Sequence, residues 1–478
     1  MGTEAIELGA PGQKRAQVKD HVLALVASGV LRRGSRLPSI LELSRDLGVA
    51  KNTVVGALDA LCGEGVIEAR ERQGFFVRAA RRRSPAIATR LADLETDRVA
   101  HGMATMLAPA GDGLVTIGGG TSSETLLATP AWTAALRTAP PRDPLEALRY
   151  ADPLGEAHLR EVIAVRFAPG DDAAGRIVVT HGAVESLNLC FSAAAAATGS
   201  RRVALESPGY FMLGPILNHL GLEPVPVPRT RDGLDLGLLG RELKRAPIAA
   251  LMLNTNHQNP IGTSLSLAQR FEIAKLAEEK RFFVVEDDVY KGLGVDGEDP
   301  PSIASLVPQR TAYVGSFSKT LGPALRIGFT IAPPSLFADL RRRKFLQSLA
   351  GDAYTQNLVA DFVDRRGYQK HLVEMREELG RRARIARLQA EPFERLGRFA
   401  SPYAGGLFWR FEFAAGHDAM DLYRRAREKN LLVSPGCYFR PVEDTNAMDD
   451  RWMRVNVSRC EGTTLSHALR LLSDLARS

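Results

Sequence analysis

The strongest chemical signal in the sequence is a lysine among hydroxyl side chains, with an arginine seven residues further on. The segment is Ser316-Phe317-Ser318-Lys319-Thr320-Leu321-Gly322-Pro323-Ala324-Leu325-Arg326, and it follows an apolar run. An amine in this setting can condense with an aldehyde cofactor, while Ser316, Ser318 and Arg326 bind the cofactor's phosphate. By itself the segment is equally compatible with a solvated surface lysine.

A second group of reactive side chains follows another apolar run, in Val284-Val285-Glu286-Asp287-Asp288-Val289-Tyr290. A carboxylate at the end of a buried strand can keep a pyridine nitrogen protonated, which makes the ring an electron sink. The hydroxyl of Tyr290 can donate to the ring's phenolate oxygen. Without the lysine segment, a strand-end cap would be the preferred interpretation.

Four weaker patterns add to these two. The strand-to-helix turn Thr180-His181-Gly182-Ala183 could cradle phosphate with backbone N–H groups. Asn259 could bind both the phenolate oxygen and a substrate carboxylate, and the ring of Tyr210 could stack on a cofactor. Arg454, alone in an apolar strand, could pair with a carboxylate, and without one it would be a costly buried charge.

These residues need a scaffold that brings strand ends together. From about residue 113 onward, short continuous apolar runs alternate with helical stretches, at 176–180, 202–206, 249–253, 282–286, 311–315 and 327–331. Continuous runs are typical of strands buried on both faces. The pattern therefore predicts a large α/β domain with a mostly parallel sheet.

The N-terminal part has a different pattern. Residues 14–79 contain three short helical periods and then two apolar runs around a polar turn with Gly74. Three helices and a hairpin form a winged helix-turn-helix. Its recognition helix would present Lys51, Asn52 and Thr53 at its N-terminal end, where side chains reach bases and phosphates. The alternative is a small helical domain used for protein contact.

Composition and charge agree with this division. The 478 residues are 45% hydrophobic, which excludes disorder along the whole chain, and no apolar run is long enough for a membrane span. Of the net charge of +7, an excess of five falls in residues 1–84, which favours nucleic-acid contact. The four scattered cysteines indicate a reducing cytoplasm without a disulfide scaffold or a Cys-based metal site.

The N-terminal residues resemble the GntR-type winged helix. The resemblance is carried by Arg36-Leu37-Pro38-Ser39, by Gly48-Val49-Ala50-Lys51-Asn52-Thr53-Val54 and by Gly74-Phe75-Phe76-Val77. It implies operator contacts from Arg36, Ser39, Lys51, Asn52, Thr53 and Gly74. Two positions depart from the family pattern: Leu41 and Lys51 stand where arginine is usual, and Lys51 keeps the charge but lacks the bidentate fork.

Residues 113–475 resemble fold type I aminotransferases, which use pyridoxal 5'-phosphate (PLP). The resemblance implies that Lys319 forms the internal aldimine, Asp287 binds the pyridine nitrogen, and Tyr290 and Asn259 bind the phenolate oxygen. It further implies that Tyr210 stacks on the ring, that Arg454 binds the ligand carboxylate, and that Tyr150 reaches the phosphate of a neighbouring protomer. The implied phosphate ligands are Ser316, Ser318, Arg326, Gly182 and Ala183. Ile261 and Val184 replace a usual threonine and a common glutamine.

The two parts together resemble the MocR subfamily of bacterial transcription regulators. The predicted domains are a winged helix over 12–79, a linker over 80–112 and an aminotransferase-like effector domain over 113–478. The resemblance implies a cytoplasmic, nucleoid-associated homodimer that binds operator DNA and senses a small anionic amine by aldimine exchange at Lys319. The alternative is a working aminotransferase with an accessory DNA-binding domain. Since the lysine, aspartate and arginine are all present, the sequence does not exclude turnover.

Overall fold

The computed structural model of the protein describes residues 11–27, 31, 34–63, 66–70, 74–77, 115–138, 148–168, 173–297, 299–365, 367–442 and 451–477. The chain forms two compact units that divide between Arg90 and Leu91. The predicted linker lies outside the described residues, so the predicted domain boundaries stay predictions. Across the described segments, no helix combines the length and apolar character that crossing a membrane would require.

The smaller unit is the expected winged helix-turn-helix. Its elements are α1 (Pro11–Ala27), α2 (Ile40–Asp46), α3 (Lys51–Gly63), β1 (Ile67–Arg70) and β2 (Gly74–Val77). The two strands pair antiparallel. Residues 34–37 also pair with β2: Val77 donates its N–H to Ser35 O, and Leu37 donates to Phe75 O. This third pairing segment was not predicted from the sequence, which indicated only the two apolar runs around Gly74.

Capping and periodicity explain these helices. Ser39 caps α2 by accepting from the N–H of Glu42, whose carboxylate accepts from the N–H of Ser39 at 2.7 Å. On α3, Val54, Leu58 and Leu61 recur at helical spacing and are fully buried. The opposite face of α3 is therefore available for a partner.

The larger unit is built on an eight-stranded sheet, in the order β4-β11-β10-β9-β8-β5-β6-β7. After a short β3 (Val115–Thr116), its strands are β4 (Ile177–Thr180), β5 (Arg202–Ser207), β6 (Glu223–Thr230), β7 (Gly233–Leu234), β8 (Ala250–Asn254), β9 (Phe283–Asp287), β10 (Thr311–Ser316) and β11 (Gly328–Ile331). The central pairs are parallel, as predicted, whereas β11 runs antiparallel to both β10 and β4. The sheet is therefore mixed.

Helices cover this sheet and continue into the C-terminal region. They are α4 (Glu124–Leu127), α5 (Pro130–Thr138), α6 (Ala157–Phe167), α7 (Ala183–Thr198), α8 (Leu213–His219), α9 (Leu236–Arg245), α10 (Leu267–Lys280), α11 (Ile303–Leu306), α12 (Pro334–Ser348), α13 (Ala353–Asp364), α14 (Gly367–Ala390), α15 (Ala419–Glu428) and α16 (Thr464–Arg477). In β8, Met252 packs into the core on one face of the sheet, and Leu251 and Leu253 pack into the core on the other. Burial on both faces explains the continuous apolar run.

A second, four-stranded antiparallel sheet carries the C-terminal arginine. It has the order β12-β13-β16-β15, from β12 (Gly397–Phe399), β13 (Phe408–Phe413), β15 (Ser434–Pro435) and β16 (Trp452–Asn456). A separate parallel pair joins β3 to β14 (Leu431–Leu432). Arg454 lies in the middle of β16, opposite Ser434 on β15, and is almost fully buried.

Candidate functional site

A cavity of about 440 Å³ lies beside the carboxyl ends of β8, β9 and β10, where Asn254, Asp287 and Ser316 line it. Crevices outside the carboxyl ends of parallel strands are the usual ligand sites of open α/β sheets. The structure brings ten of the sequence-predicted residues to this cavity. They are Lys319, Asp287, Tyr290, Asn259, Tyr210, Ala183, Ser316, Ser318, Arg326 and Arg454.

Lys319 follows β10 and turns its amine into the cavity. Its Nζ donates to the carbonyl oxygen of Gly120 at 2.8 Å, and Ser122 Oγ donates to the carbonyl oxygen of Lys319 itself. Burial, assisted by the nearby cation Arg454 and opposed by Asp287, lowers the pKa of Lys319 to about 8. A buried amine with this pKa is a better nucleophile near neutral pH than an ordinary lysine.

Three consecutive acids lie at the end of β9 and just after it, and they have three different environments. Glu286 accepts the N–H groups of Ile303 and Ala304 at the start of α11. Asp288 accepts from Asn256 and Tyr313. Asp287 alone of the three lines the cavity.

Burial raises the pKa of Asp287 to about 7, with Asp288 contributing in the same direction and Asn254, Val289 and Lys319 opposing it. A buried carboxylate is costly unless it is paired. A protonated ring nitrogen placed against Asp287 would give it a cationic partner, so this residue fits the pyridine nitrogen of PLP.

Tyr290, Asn259 and Arg454 meet in the cavity, and a hydrogen bond joins the last two. Asn259 Oδ1 accepts from Arg454 Nη1 at 2.7 Å, and Tyr290 lines the same cavity. Burial raises the pKa of Tyr290 above its usual value, so the hydroxyl keeps its proton and can donate it in a hydrogen bond. Tyr210 is half-buried beside them, and burial raises its pKa to about 12.

Arg454 is held between two aromatic rings, with its guanidinium carbon 4.4 Å from the ring centre of Phe408 and 4.7 Å from that of Phe439. Its Nε and Nη2 both donate to the carbonyl oxygen of Gly118. The expectation that Arg454 would be unpaired without a ligand is therefore wrong, since Gly118 and Asn259 supply neutral acceptors. A guanidinium group has five N–H donors, and three are used in these bonds. The other two could still donate to a carboxylate.

The opposite end of the cavity fits a phosphate. Ser316 Oγ and Ser318 Oγ lie 3.0 Å apart, and Arg326 Nη2 donates to the carbonyl oxygen of His181 at 2.7 Å. The N–H of Gly182 donates to Thr180 O, so Gly182 contributes turn geometry rather than a phosphate donor.

Gly182 has φ +86°, and a Cβ there would lie 2.6 Å from Arg326 Nη2. Both facts favour glycine. The first helical N–H groups, those of Ala183 and Val184, are left without an intrahelical acceptor, and both residues line the cavity. They could donate to a phosphate bound at this turn.

Tyr150 lies apart from the cavity and is 87% exposed. Its expected role, in a neighbouring protomer's phosphate site, requires a second chain and stays a prediction. Among the described residues, no cluster of three His, Cys, Asp or Glu side chains could hold a metal ion.

One part of the site, the segment Gly118-Gly119-Gly120, was not predicted from the sequence. Besides the bonds from Arg454 and Lys319, Asn456 Nδ2 donates to the carbonyl oxygen of Gly119 at 2.6 Å. The run of three glycines was a visible signal, since glycine often marks close approach to other backbone or to a ligand. Its partners, however, lie about 200 or more positions away in the chain.

On the winged helix, the predicted DNA-binding residues are at the surface. Lys51 and Asn52 are exposed at the N-terminus of α3, Thr53 is half-buried, and Ser39 is exposed at the start of α2. Arg36 and Gly74 lie next to each other, since a Cβ on Gly74 would be 3.4 Å from Arg36 Nε. Leu41, which replaces the usual arginine, is 60% exposed.

Comparison with known proteins agrees with both units. Residues 14–77 match the family described as bacterial regulatory proteins, gntR family, and residues 122–472 match aminotransferase class I and II. The HTH-type pyridoxine biosynthesis transcriptional regulator PdxR of Corynebacterium glutamicum is 30% identical over 73% of this chain and 72% of its own length. The probable rhizopine catabolism regulatory protein MocR of Rhizobium meliloti is 25% identical over 77% of this chain and 75% of its own.

Among solved structures, the α-aminoadipate aminotransferase LysN of Thermus thermophilus, complexed with N-(5'-phosphopyridoxyl)-L-leucine, has a TM-score of 0.67 and 25% identity. The similarity covers 80% of this chain and 97% of LysN. The chain therefore belongs to the gntR family of bacterial regulatory proteins, as a DNA-binding transcription regulator of the MocR type with an aminotransferase class I and II domain.

Proposed function

We propose that this regulator binds PLP at Lys319 and responds to a small ligand that carries a primary amine and an anionic group. The observation that carries the proposal is the convergence of Lys319, Asp287, Tyr290 and the hydrogen-bonded pair Asn259–Arg454 on one cavity. When bound, PLP supplies an aldehyde that condenses with amines and a ring that withdraws electrons.

The chain's own residues have separate tasks in this proposal. Lys319 provides the amine that holds the cofactor, Asp287 holds a proton at the ring nitrogen, and Tyr290 with Asn259 orients the ring oxygen. Ser316, Ser318, Arg326 and the N–H groups of Ala183 and Val184 bind the phosphate. Arg454 binds the anionic group of the effector, whose amine replaces that of Lys319.

Exchange of the amine is the event that is sensed. It releases Lys319 Nζ and changes the partners of Arg454, so the effector has different contacts in the two states of the domain. A homodimer in which Tyr150 of each protomer completes the other's phosphate site would present two winged helices to paired operator half-sites. The effector and DNA are then coupled, and each changes the affinity for the other by the same factor.

The test combines a spectral titration with DNA binding. The purified protein should take up PLP with the absorbance of an imine, and borohydride should fix the cofactor on Lys319. Candidate amines, such as 2-amino acids, ω-amino acids and aminosulfonates, are then titrated while the absorbance and the affinity for the protein's own upstream DNA are followed. An effector should change both. A protein that binds no PLP would overturn the proposal.

A working aminotransferase is the second candidate, because the lowered pKa of Lys319 and the burial of Asp287 and Arg454 would also suit turnover. That function predicts repeated conversion of amine and keto acid at about one turnover per second or faster. It also predicts DNA affinity that does not depend on the amine. A single conversion accompanied by a change in DNA affinity supports the sensor.

A further inference from the structure

Behind the phosphate end of the cavity lies a buried ion pair that the proposed function does not use. Lys344 Nζ, on α12, is 3.7 Å from Glu185 Oε1, on α7, and the two side chains are 1% and 8% exposed. Neither residue lines the cavity. A buried ion pair is often no more stabilising than apolar residues of the same size, so stability alone is a poor explanation for it.

A serine joins the two charges into a chain of hydrogen bonds. Lys344 Nζ donates to Ser348 Oγ, and Ser348 Oγ donates to Glu185 Oε1 at 2.7 Å. The other carboxylate oxygen of Glu185 accepts the backbone N–H of His181 at 2.6 Å and lies 3.0 Å from His181 Nδ1. The chain therefore ends on the residue that immediately precedes Gly182 and Ala183.

His181 is thus held from both sides of its backbone. Glu185 holds its N–H, and Arg326 Nη2 donates to its carbonyl oxygen at 2.7 Å. The position of His181 consequently sets two phosphate contacts at once: the direction of the N–H groups that follow in the turn and the orientation of the Arg326 guanidinium.

The carboxylate of Glu185 is ionised in this setting. Burial would raise its pKa, but the N–H of His181, the hydroxyl of Ser348 and the ammonium of Lys344 together lower the pKa below its usual value. Hydrogen bonds to an ionised acceptor are stronger and shorter than neutral ones.

We propose that Lys344 and Ser348 are positioning residues for the cofactor phosphate, and that they act through Glu185 on the turn at His181–Ala183. The inference rests on the proposed function, in that PLP is taken as the occupant of the cavity. These hydrogen bonds reach the phosphate turn and not the residues that bind the ring. Loss of the Lys344 or Ser348 side chain should therefore weaken the phosphate contacts alone.

Comparison of PLP with pyridoxal, which has the aldehyde and ring but no phosphate, tests this. Dissociation constants for both are measured by absorbance titration of the parent, Ser348→Ala and Lys344→Met. Loss of one hydrogen bond to a charged group should raise the dissociation constant of PLP about 10-fold. The dissociation constant of pyridoxal should change less than about two-fold. Ser348→Thr, which keeps a hydroxyl, should recover much of the PLP affinity.

Arg343→Ala is the matched control, because Arg343 is on the same helix and pairs with Asp339 at the surface. It should leave both constants unchanged. Equal weakening of PLP and pyridoxal in Ser348→Ala would show a general structural role and overturn the inference, as would unchanged binding of both. Should Lys344→Met not fold, Ser348→Ala decides alone, since it removes a single oxygen. A parent that binds no PLP overturns the proposed function and this inference with it.

Discussion

Arg454 donates a 2.7 Å hydrogen bond from Nη1 to Oδ1 of Asn259, 195 positions earlier in the chain. Asn259 is itself one of the two residues proposed to orient the cofactor ring, so the group proposed to read the effector's anion is bonded directly to it. An anion that draws donors away from Asn259 would be sensed at the ring oxygen. The link explains how effector binding could alter the cofactor's absorbance before any bond changes.

The first prediction concerns Arg454. Arg454→Ala should leave PLP bound but weaken effector binding about 100-fold, because two charge-assisted hydrogen bonds to the effector are lost. The effector concentration that half-saturates the absorbance change measures this. Arg425→Ala, which removes an equal charge from an exposed pair with Asp421, should behave as the parent. Equal effector affinity in the parent and Arg454→Ala would refute the assignment.

The second prediction concerns pH. Burial and Arg454 lower the pKa of Lys319 to about 8, so the neutral amine, which attacks the aldehyde, is about one-tenth of the total at pH 7. The rate constant for PLP capture should therefore rise with pH, about ten-fold from pH 7 upward, and level off above about 8. Stopped-flow absorbance at several pH values measures it.

The same profile offers an internal check. Removal of the Arg454 cation should raise the Lys319 pKa, so in Arg454→Ala the rise should occur at higher pH. Lys319→Ala should show no borohydride-stable adduct at any pH. A parent rate that does not change between pH 6.5 and 9.5 would contradict the assignment of Lys319 as the titrating nucleophile.

The third prediction concerns DNA. Lys51→Ala should weaken binding to operator and unrelated DNA by a similar factor and reduce the salt dependence by about one counterion, provided that Lys51 contacts phosphate. Thr53→Ala should weaken operator binding as well. Fluorescence anisotropy at several salt concentrations separates these effects. Both variants should retain the PLP absorbance, and Arg425→Ala again serves as the charge-matched control. Parent-like operator affinity in both would mean that α3 is not the recognition helix.

The fourth prediction concerns assembly. If Tyr150 contacts the phosphate in the neighbouring protomer, Tyr150→Phe should weaken PLP binding, although Tyr150 does not line the cavity of its own protomer. Light scattering should give twice the mass of one chain. Mixed dimers of Tyr150→Phe with Lys319→Ala should regain one site of parental affinity, because that site combines Lys319 of one protomer with Tyr150 of the other. No gain on mixing, or a monomer at micromolar concentration, would exclude the arrangement.

Several features could be predicted from the sequence because they follow from local rules. Continuous apolar runs predicted strands buried on both faces, and parallel strands place their carboxyl ends at one edge, so Asp287 and Lys319 were expected near each other. The start of α2 follows the same kind of local rule, because the N-cap Ser39 satisfies a helix N–H within the first turn. The winged helix and the aminotransferase-like domain were confirmed.

Other features were decided by tertiary structure. The sequence could not assign separate partners to Glu286, Asp287 and Asp288, because their environments come from α11, from the cavity and from Tyr313. Nor could it show that the N–H of Gly182 is used within its own turn.

The sequence by itself thus determined the types of reactive residue, the strands and helices that carry them, and the family. Only the tertiary structure decided that Lys319 and Arg454 both contact the segment Gly118–Gly120, and that Lys344 lies behind the phosphate turn. The physical reason is the separation of the interacting residues along the sequence. Helix caps and strand periodicity depend on neighbours a few residues away, whereas these contacts join residues more than 150 positions apart and form only when the packed layers bring them together.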